Sequence, residues 1–253
     1  MTDFQWQCFL QFRQELKEQC NKWQNLYGDT LIPLQKEASK KDTPDYPIET
    51  PVVYNTALDE ITNQDEIKLI VIGDNPGKSE QLSINQKYLV GQSGKIAQGF
   101  FCKNPCLNID FRKNTIILNK TPIHTAKTNH LKYLETNGSK EISTLIKESQ
   151  EWMAKKTIQL HQNLAKDSPC SIWLVGYSQL KGKGLFEFYR NVFAKTYKTQ
   201  NCKLWDKVLV FQHFSMNRFL IDLASFSKEN PNISLKEQLI ELGTKHRLEV
   251  FGE

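Results

Sequence analysis

No apolar run in this chain approaches the roughly 18 residues that a membrane-spanning helix needs, so no span is expected. The first residues, Met1-Thr-Asp-Phe-Gln-Trp-Gln7, lack the basic-then-apolar order of a secretory leader, and a cytoplasmic location is the expectation. The cysteines Cys8, Cys20, Cys102, Cys106, Cys170 and Cys202 include no C-x-x-C pair. Cys102 and Cys106 come closest, but no His or Cys pair follows at zinc-like spacing. The cysteines therefore read as reduced thiols, and neither a metal nor a cofactor is expected. Internal repeats and low-complexity tracts are missing too. Charge is not heavily one-sided: 33 Lys and Arg stand against 28 Asp and Glu, a formal +5. That balance permits nucleic-acid binding but falls short of a strongly basic footprint.

At 253 residues the chain can bury roughly three quarters of its unfolded surface and needs no disulfide staples. Residues 3–27 carry Phe4, Phe9, Leu10, Phe12, Leu16, Trp23 and Leu26 at roughly helical spacing, predicting an amphipathic helix. The polar, Pro-bearing stretch 35–52 predicts a surface loop. Four short apolar runs, at 67–72, 115–118, 171–175 and 207–211, read as strands buried on both faces. Helical patterns at 141–164 and 184–195 lie between them. Ser234-Leu-Lys-Glu237 predicts a capping box, with Gly243 as the helix's C-cap. Alternating strands and helices predict an α/β fold of three α/β/α layers around a four-stranded, mainly parallel sheet.

Each strand run ends in polar residues, and in a parallel sheet all such ends share one edge, where ligands bind. The first ends in Gly73-Asp74-Asn75-Pro76-Gly77. The second ends in Asn119, the third in Gly176-Tyr-Ser178 ahead of Lys181 and Lys183, and the fourth in Gln212-His213-Phe-Ser215-Met216-Asn217-Arg218. Asn75, Asn119, Ser178 and His213 are therefore expected to converge. Gly77-Lys-Ser79 invites comparison with a phosphate-binding P-loop, which needs four residues between its glycines. Only three separate Gly73 from Gly77, and Pro76 removes an N–H that a phosphate cradle would use.

These residues resemble the uracil-DNA glycosylase superfamily. Gly73-Asp-Asn-Pro-Gly77 is similar to its first motif, in the Asn form of the single-strand-selective and mismatch-specific branches. Tyr88-Leu-Val-Gly91-Gln-Ser-Gly94 is similar to its Phe-Val-Gly-x-Ala-Gly segment, and His213-Phe-Ser215 resembles its His-Pro-Ser motif. The match runs over roughly residues 67–220. Leu89 stands where the family carries a base-stacking aromatic, Phe214 replaces a proline, and the cysteine spacing of the cluster-bearing branch is absent. The resemblance implies a monomeric enzyme that flips uracil or a related deaminated base out of DNA and hydrolyses its N-glycosidic bond. It implies that Asn75 positions the attacking water, with Asp74 as a fallback base. Asn119 would read the base, His213 would donate to the base's O2, and Gly73, Pro76, Gly77, Tyr88 and Leu89 would shape the pocket. Ser178, Lys181, Lys183, Ser215 and Arg218 would grip DNA phosphates, with Met216, Asn217 or Arg218 wedged into the duplex. Residues 1–60 are expected to form a helix-and-loop extension packed on a glycosylase-like domain of 61–253, in one compact unit. A glycosylase for another base such as hypoxanthine, and a non-catalytic nucleic-acid-binding protein, remain open beside this reading.

Overall fold

The sheet holds β1 (Leu69–Gly73), β2 (Thr115–Asn119), β3 (Ser171–Val175) and β4 (Val208–Phe211) in the order β2-β1-β3-β4. Every pairing is parallel, so the expected mainly parallel sheet is wholly so. The computed structural model describes residues 1–166, 168–199 and 203–252. Cys202, read above as a reduced thiol, lies outside them; Cys8, Cys20, Cys102, Cys106 and Cys170 are free thiols.

Helices cover both faces of the sheet. Alternation along the strands splits the core in two, because successive side chains point to opposite faces. Ile70, Ile72, Ile116, Leu118, Ile172, Leu174, Val208 and Val210 face one side, in a cluster with α1 (Asp3–Ser39), α3 (His130–Asn137), α4 (Lys140–Leu164) and α6 (Glu187–Thr199). Leu69, Val71, Ile117, Trp173, Val175, Leu209 and Phe211 face the other, against α2 (Gln92–Lys103), α7 (Arg218–Glu229) and α8 (Leu235–Phe251). A short helix, α5 (Tyr177–Leu180), follows β3. The three-layer α/β/α architecture expected from the pattern is the one observed. Among the described residues no helix is long and apolar enough to cross a membrane.

Two expectations need correction. The first helix does not end near residue 27. It runs to Ser39 through an internal Pro33, so the loop expected from residue 35 begins at Lys40. Proline in a helix interior forfeits one backbone bond, but Gln35 beyond it is buried, and its side-chain N–H groups donate to Pro51 O (3.1 Å) and His124 O (2.8 Å). Those tertiary bonds hold the last turn in place. The second correction concerns Gly243, which sits inside α8 and caps nothing. A Cβ there would lie 2.7 Å from Leu209 Cβ and 2.8 Å from Phe211 Cζ, so this glycine lets α8 approach β4. The cap is Gly252, at φ +72°. The Ser234–Glu237 capping box forms as expected.

Residues 1–60 contribute to the core. Phe9, Phe12, Leu16 and Trp23 of α1 join the cluster that α3 and α4 form, and Val52 bridges antiparallel to Ile123. That bridge positions the segment after β2, which forms part of the site described next.

Candidate functional site

A cavity of about 490 Å³ opens at the carboxyl edge of the sheet. Asp74, Asn75, Gly77, Leu89, Asn119, Ser178, His213, Ser215, Met216 and Arg218 all line it. The four strand-end residues expected to converge (Asn75, Asn119, Ser178 and His213) do so. Parallel register brings this about: Gly73 pairs with Asn119 across β1 and β2, so both strands end at the same level.

Asn75 is half-buried, and its NH₂ is fully engaged. It donates to Thr125 Oγ1 (2.8 Å) and Ile123 O (3.2 Å). Among the described residues nothing donates to its Oδ1, so the amide presents an acceptor to the cavity. Asn119 is only 2 % exposed, and its buried NH₂ meets no hydrogen-bond partner among the described residues. An unpaired buried donor costs about 1–3 kcal/mol, which a ligand carbonyl would recover. Gly73 lies beneath it: a Cβ at Gly73 would meet Asn119 Oδ1 at 2.4 Å.

The proton of His213 is assigned by its neighbours. Ser215 N–H donates to Nδ1 (3.1 Å), with Ser215 Oγ 2.8 Å from the same atom. Because Nδ1 accepts, a neutral ring carries its proton on Nε2. Burial pushes the His213 pKa below its ordinary value; Asp74 opposes that shift and Lys120 adds to it. The cavity therefore meets a neutral imidazole offering an N–H.

Three of the supporting groups were not apparent from sequence. The first is Lys120, wholly buried, whose Nζ bonds Asp74 Oδ1 (2.6 Å), Val175 O (2.6 Å) and Gly73 O (3.1 Å). Its charge is satisfied at the ends of β1 and β3, and burial lowers its pKa against the pull of Asp74. Removing one partner of such a pair typically costs 3–5 kcal/mol. The second is Glu80. One oxygen accepts from Gly77 N–H (2.9 Å) and the other from Leu89 N–H (2.7 Å), tying the Gly73–Gly77 turn to the Leu89 loop. Burial raises the Glu80 pKa to about 7 despite those two bonds. The third is the segment 125–129, which forms one wall of the cavity. It is anchored by His124, whose Nδ1 lies 2.9 Å from Pro76 O. A polar stretch after a strand carries no pattern that separates a cavity wall from an ordinary loop. Lys120 becomes legible only once the strand register is known: Gly73 pairs with Asn119, so the next residues, Asp74 and Lys120, are neighbours.

Leu89 adopts φ +52°, a conformation rare for a branched residue and one that clusters at functional sites. Three contacts hold it there: its N–H on Glu80, its carbonyl accepting from Arg112 Nη2 (2.6 Å), and its close approach to Gly94. A Cβ at Gly94 would fall 1.5 Å from Leu89 O, so only glycine fits. Leu89 thus gives the cavity an apolar wall.

Other expected site residues lie off the cavity. Tyr88 is wholly buried and donates its hydroxyl to Val53 O (2.6 Å), so its ring belongs to the core. Pro76 is buried behind the turn. Lys181 pairs with Glu249 (2.7 Å), and Lys183 lines a neighbouring groove. Phe214, in the proline position of the compared motif, is buried against Phe219 (5.0 Å between ring centroids) and anchors the His213–Ser215 turn. Met216 and Asn217 are successive left-handed residues, and Met216 projects from the rim, 70 % exposed. Asn217 caps α7 and does not line the cavity. Compared with known proteins, the chain matches no family model, no curated protein and no solved structure.

Proposed function

We propose that this chain is a DNA glycosylase that hydrolyses the N-glycosidic bond of uracil, or of a base with the same deaminated edge, and leaves an abasic site. One observation carries the reading. Three polar groups with no hydrogen-bond partner among the described residues belong to side chains that line one cavity: the acceptor Oδ1 of Asn75, the buried donor NH₂ of Asn119 and the donor Nε2–H of His213. A base with a ring N–H beside a carbonyl complements Asn119, whose oxygen accepts from the N–H while its NH₂ donates to the carbonyl. Cytosine reverses both polarities and would leave buried groups unpaired, which a site of this kind rejects strongly.

The reaction needs no covalent help from the protein. The C1′–N1 bond breaks and its electron pair leaves with the base, where negative charge gathers on O2. His213 Nε2–H donates to that oxygen; a preorganised donor of this kind typically contributes about 10²–10³ in rate. The sugar is left as an oxocarbenium ion. Water held by Asn75 Oδ1 adds to C1′ and releases its proton to solvent, since an amide cannot take it at neutral pH. The target base must first leave the stack. Met216 on the rim is suited to filling the vacated space, and Ser178, Ser215 and Arg218 to bonding phosphates, which positions DNA without reading sequence. As a repair enzyme it would work in a reducing compartment beside the cell's DNA.

The test is direct. The protein is incubated with labelled oligonucleotides carrying uracil, hypoxanthine or no lesion, and alkali-labile abasic sites are scored. Strand breakage at a deaminated base alone supports the reading; DNA binding without breakage on any substrate overturns it.

A further inference from the structure

A second groove, of about 450 Å³, adjoins the cavity, and Asn129 and Gln179 line both. Its walls come from the start of α3 and from the segment leading into α6. Phe188 lies in it with 37 % of its surface exposed, and among the described residues no aromatic ring stacks on it. Lys132 and Lys183 also line it, and neither forms an ion pair among the described residues. The acids there are already engaged: Glu135 with Lys147 (3.7 Å) and Glu187 with Arg190 (3.5 Å). The groove thus combines an uncovered aromatic face with two available cations.

We infer that this groove binds the nucleotide next to the flipped one in single-stranded DNA, its base stacked on Phe188 and its phosphates against Lys132 and Lys183. The adjacency of the two nucleotides follows from continuity of the groove with the cavity, so the assignment rests on the glycosylase reading. The strandedness follows from stacking. In a duplex the neighbouring base stays paired and its faces are covered, so only an unpaired strand can offer a π-face to Phe188. Stacking platforms beside cationic grooves are how single strands are held without sequence preference. The groove therefore offers single-stranded DNA a contact that duplex DNA cannot make.

Binding of a short fluorescein-labelled oligothymidylate, measured by anisotropy on the full chain, tests this apart from catalysis. Phe188→Ala, at an exposed position that leaves the core intact, should weaken single-strand binding at least about fivefold, from the usual strength of base–aromatic stacking. Binding to the matching duplex should not change. The double variant Lys132→Ala, Lys183→Ala should reduce the slope of log affinity against log salt by about 1.4, at about 0.7 per phosphate contact on a single strand. Single-strand affinity and salt slope equal to wild type overturn the inference. Base release from a uracil strand, assayed in parallel, separates the two ideas. Release by the wild type with unchanged Phe188→Ala binding removes the groove and keeps the glycosylase. Weakened Phe188→Ala binding without release by the wild type keeps a single-strand site and removes the chemistry.

Discussion

The backbone N–H of Ser215 donates to His213 Nδ1 at 3.1 Å, and this bond decides where the imidazole proton sits. Because the donor is main chain, Ser215→Ala should retain the tautomer and lose less than about tenfold in kcat/KM. His213→Gln should lose about 10²–10³. Burial holds the His213 pKa below the ordinary value of about 6.5, so the neutral ring persists at neutral pH. Protonation at low pH would set an N–H on Nδ1 against the Ser215 N–H. The kcat/KM profile should accordingly be level above about pH 6.5 and fall only on its acid side. An acid limb centred above that value would remove His213 from this role.

Asn75→Asp should slow the enzyme. A carboxylate is the stronger base in isolation, but the NH₂ of Asn75 donates to Ile123 O and Thr125 Oγ1. Asp would turn an anionic oxygen toward the carbonyl of Ile123 and lose that bond, at about 1–3 kcal/mol for groups left unpaired. Single-turnover rates decide the matter: a faster Asn75→Asp would mean that the site tolerates a general base where it now holds an amide.

Asn119→Asp should move selectivity from uracil toward cytosine. An aspartate presents acceptors where Asn119 presents its unpartnered NH₂. Uracil excision should fall about 10²-fold or more, given the cost of mismatched buried groups. Competition between uracil and cytosine strands measures the ratio; an unchanged ratio would show that another residue reads the base.

Stability should fall as pH drops from about 6.5 toward 4. His124 and His161 are wholly buried, and burial holds both pKa values at about 4. In that window the unfolded chain binds protons that the folded chain refuses, so acid favours unfolding. Each histidine accounts for about 3 kcal/mol, at about 1.4 kcal/mol per pKa unit. Glu80 acts oppositely. Its pKa is raised to about 7, so its contribution is present at low pH and is lost as pH rises through 7. Two histidines outweigh one glutamate, and the urea midpoint should be lower at about pH 4.5 than at neutrality. Glu80→Gln removes the opposing contribution and should steepen this loss. A midpoint that holds or rises on acidification would contradict the assignment.

Much of the site was legible because it sits at strand ends. Four short apolar runs imply a parallel sheet, and a parallel sheet delivers Asn75, Asn119, Ser178 and His213 to one edge whatever the details of packing. Local sequence cannot say whether a side chain near that edge faces the cavity or the core. Tyr88 and Leu89 are adjacent and both buried, yet only Leu89 lines the cavity, because its backbone turns left-handed around Gly94. Lys181 follows a strand end, where a phosphate ligand is expected, and its ammonium pairs with Glu249, 68 residues away in sequence.

What the sequence determined by itself was periodic or local: the strands, the Ser234–Glu237 cap and the edge on which polar residues gather. These follow from side-chain alternation and backbone propensity, which act over a few residues. Tertiary structure alone decided the rest. It carried α1 past Pro33 through the bonds of Gln35 to Pro51 and His124, and it placed Gly243 in a helix interior against β4. It also buried Lys120 on Asp74. In each case the deciding partner is distant along the chain, and an interaction of that range leaves no periodic trace in the residues themselves.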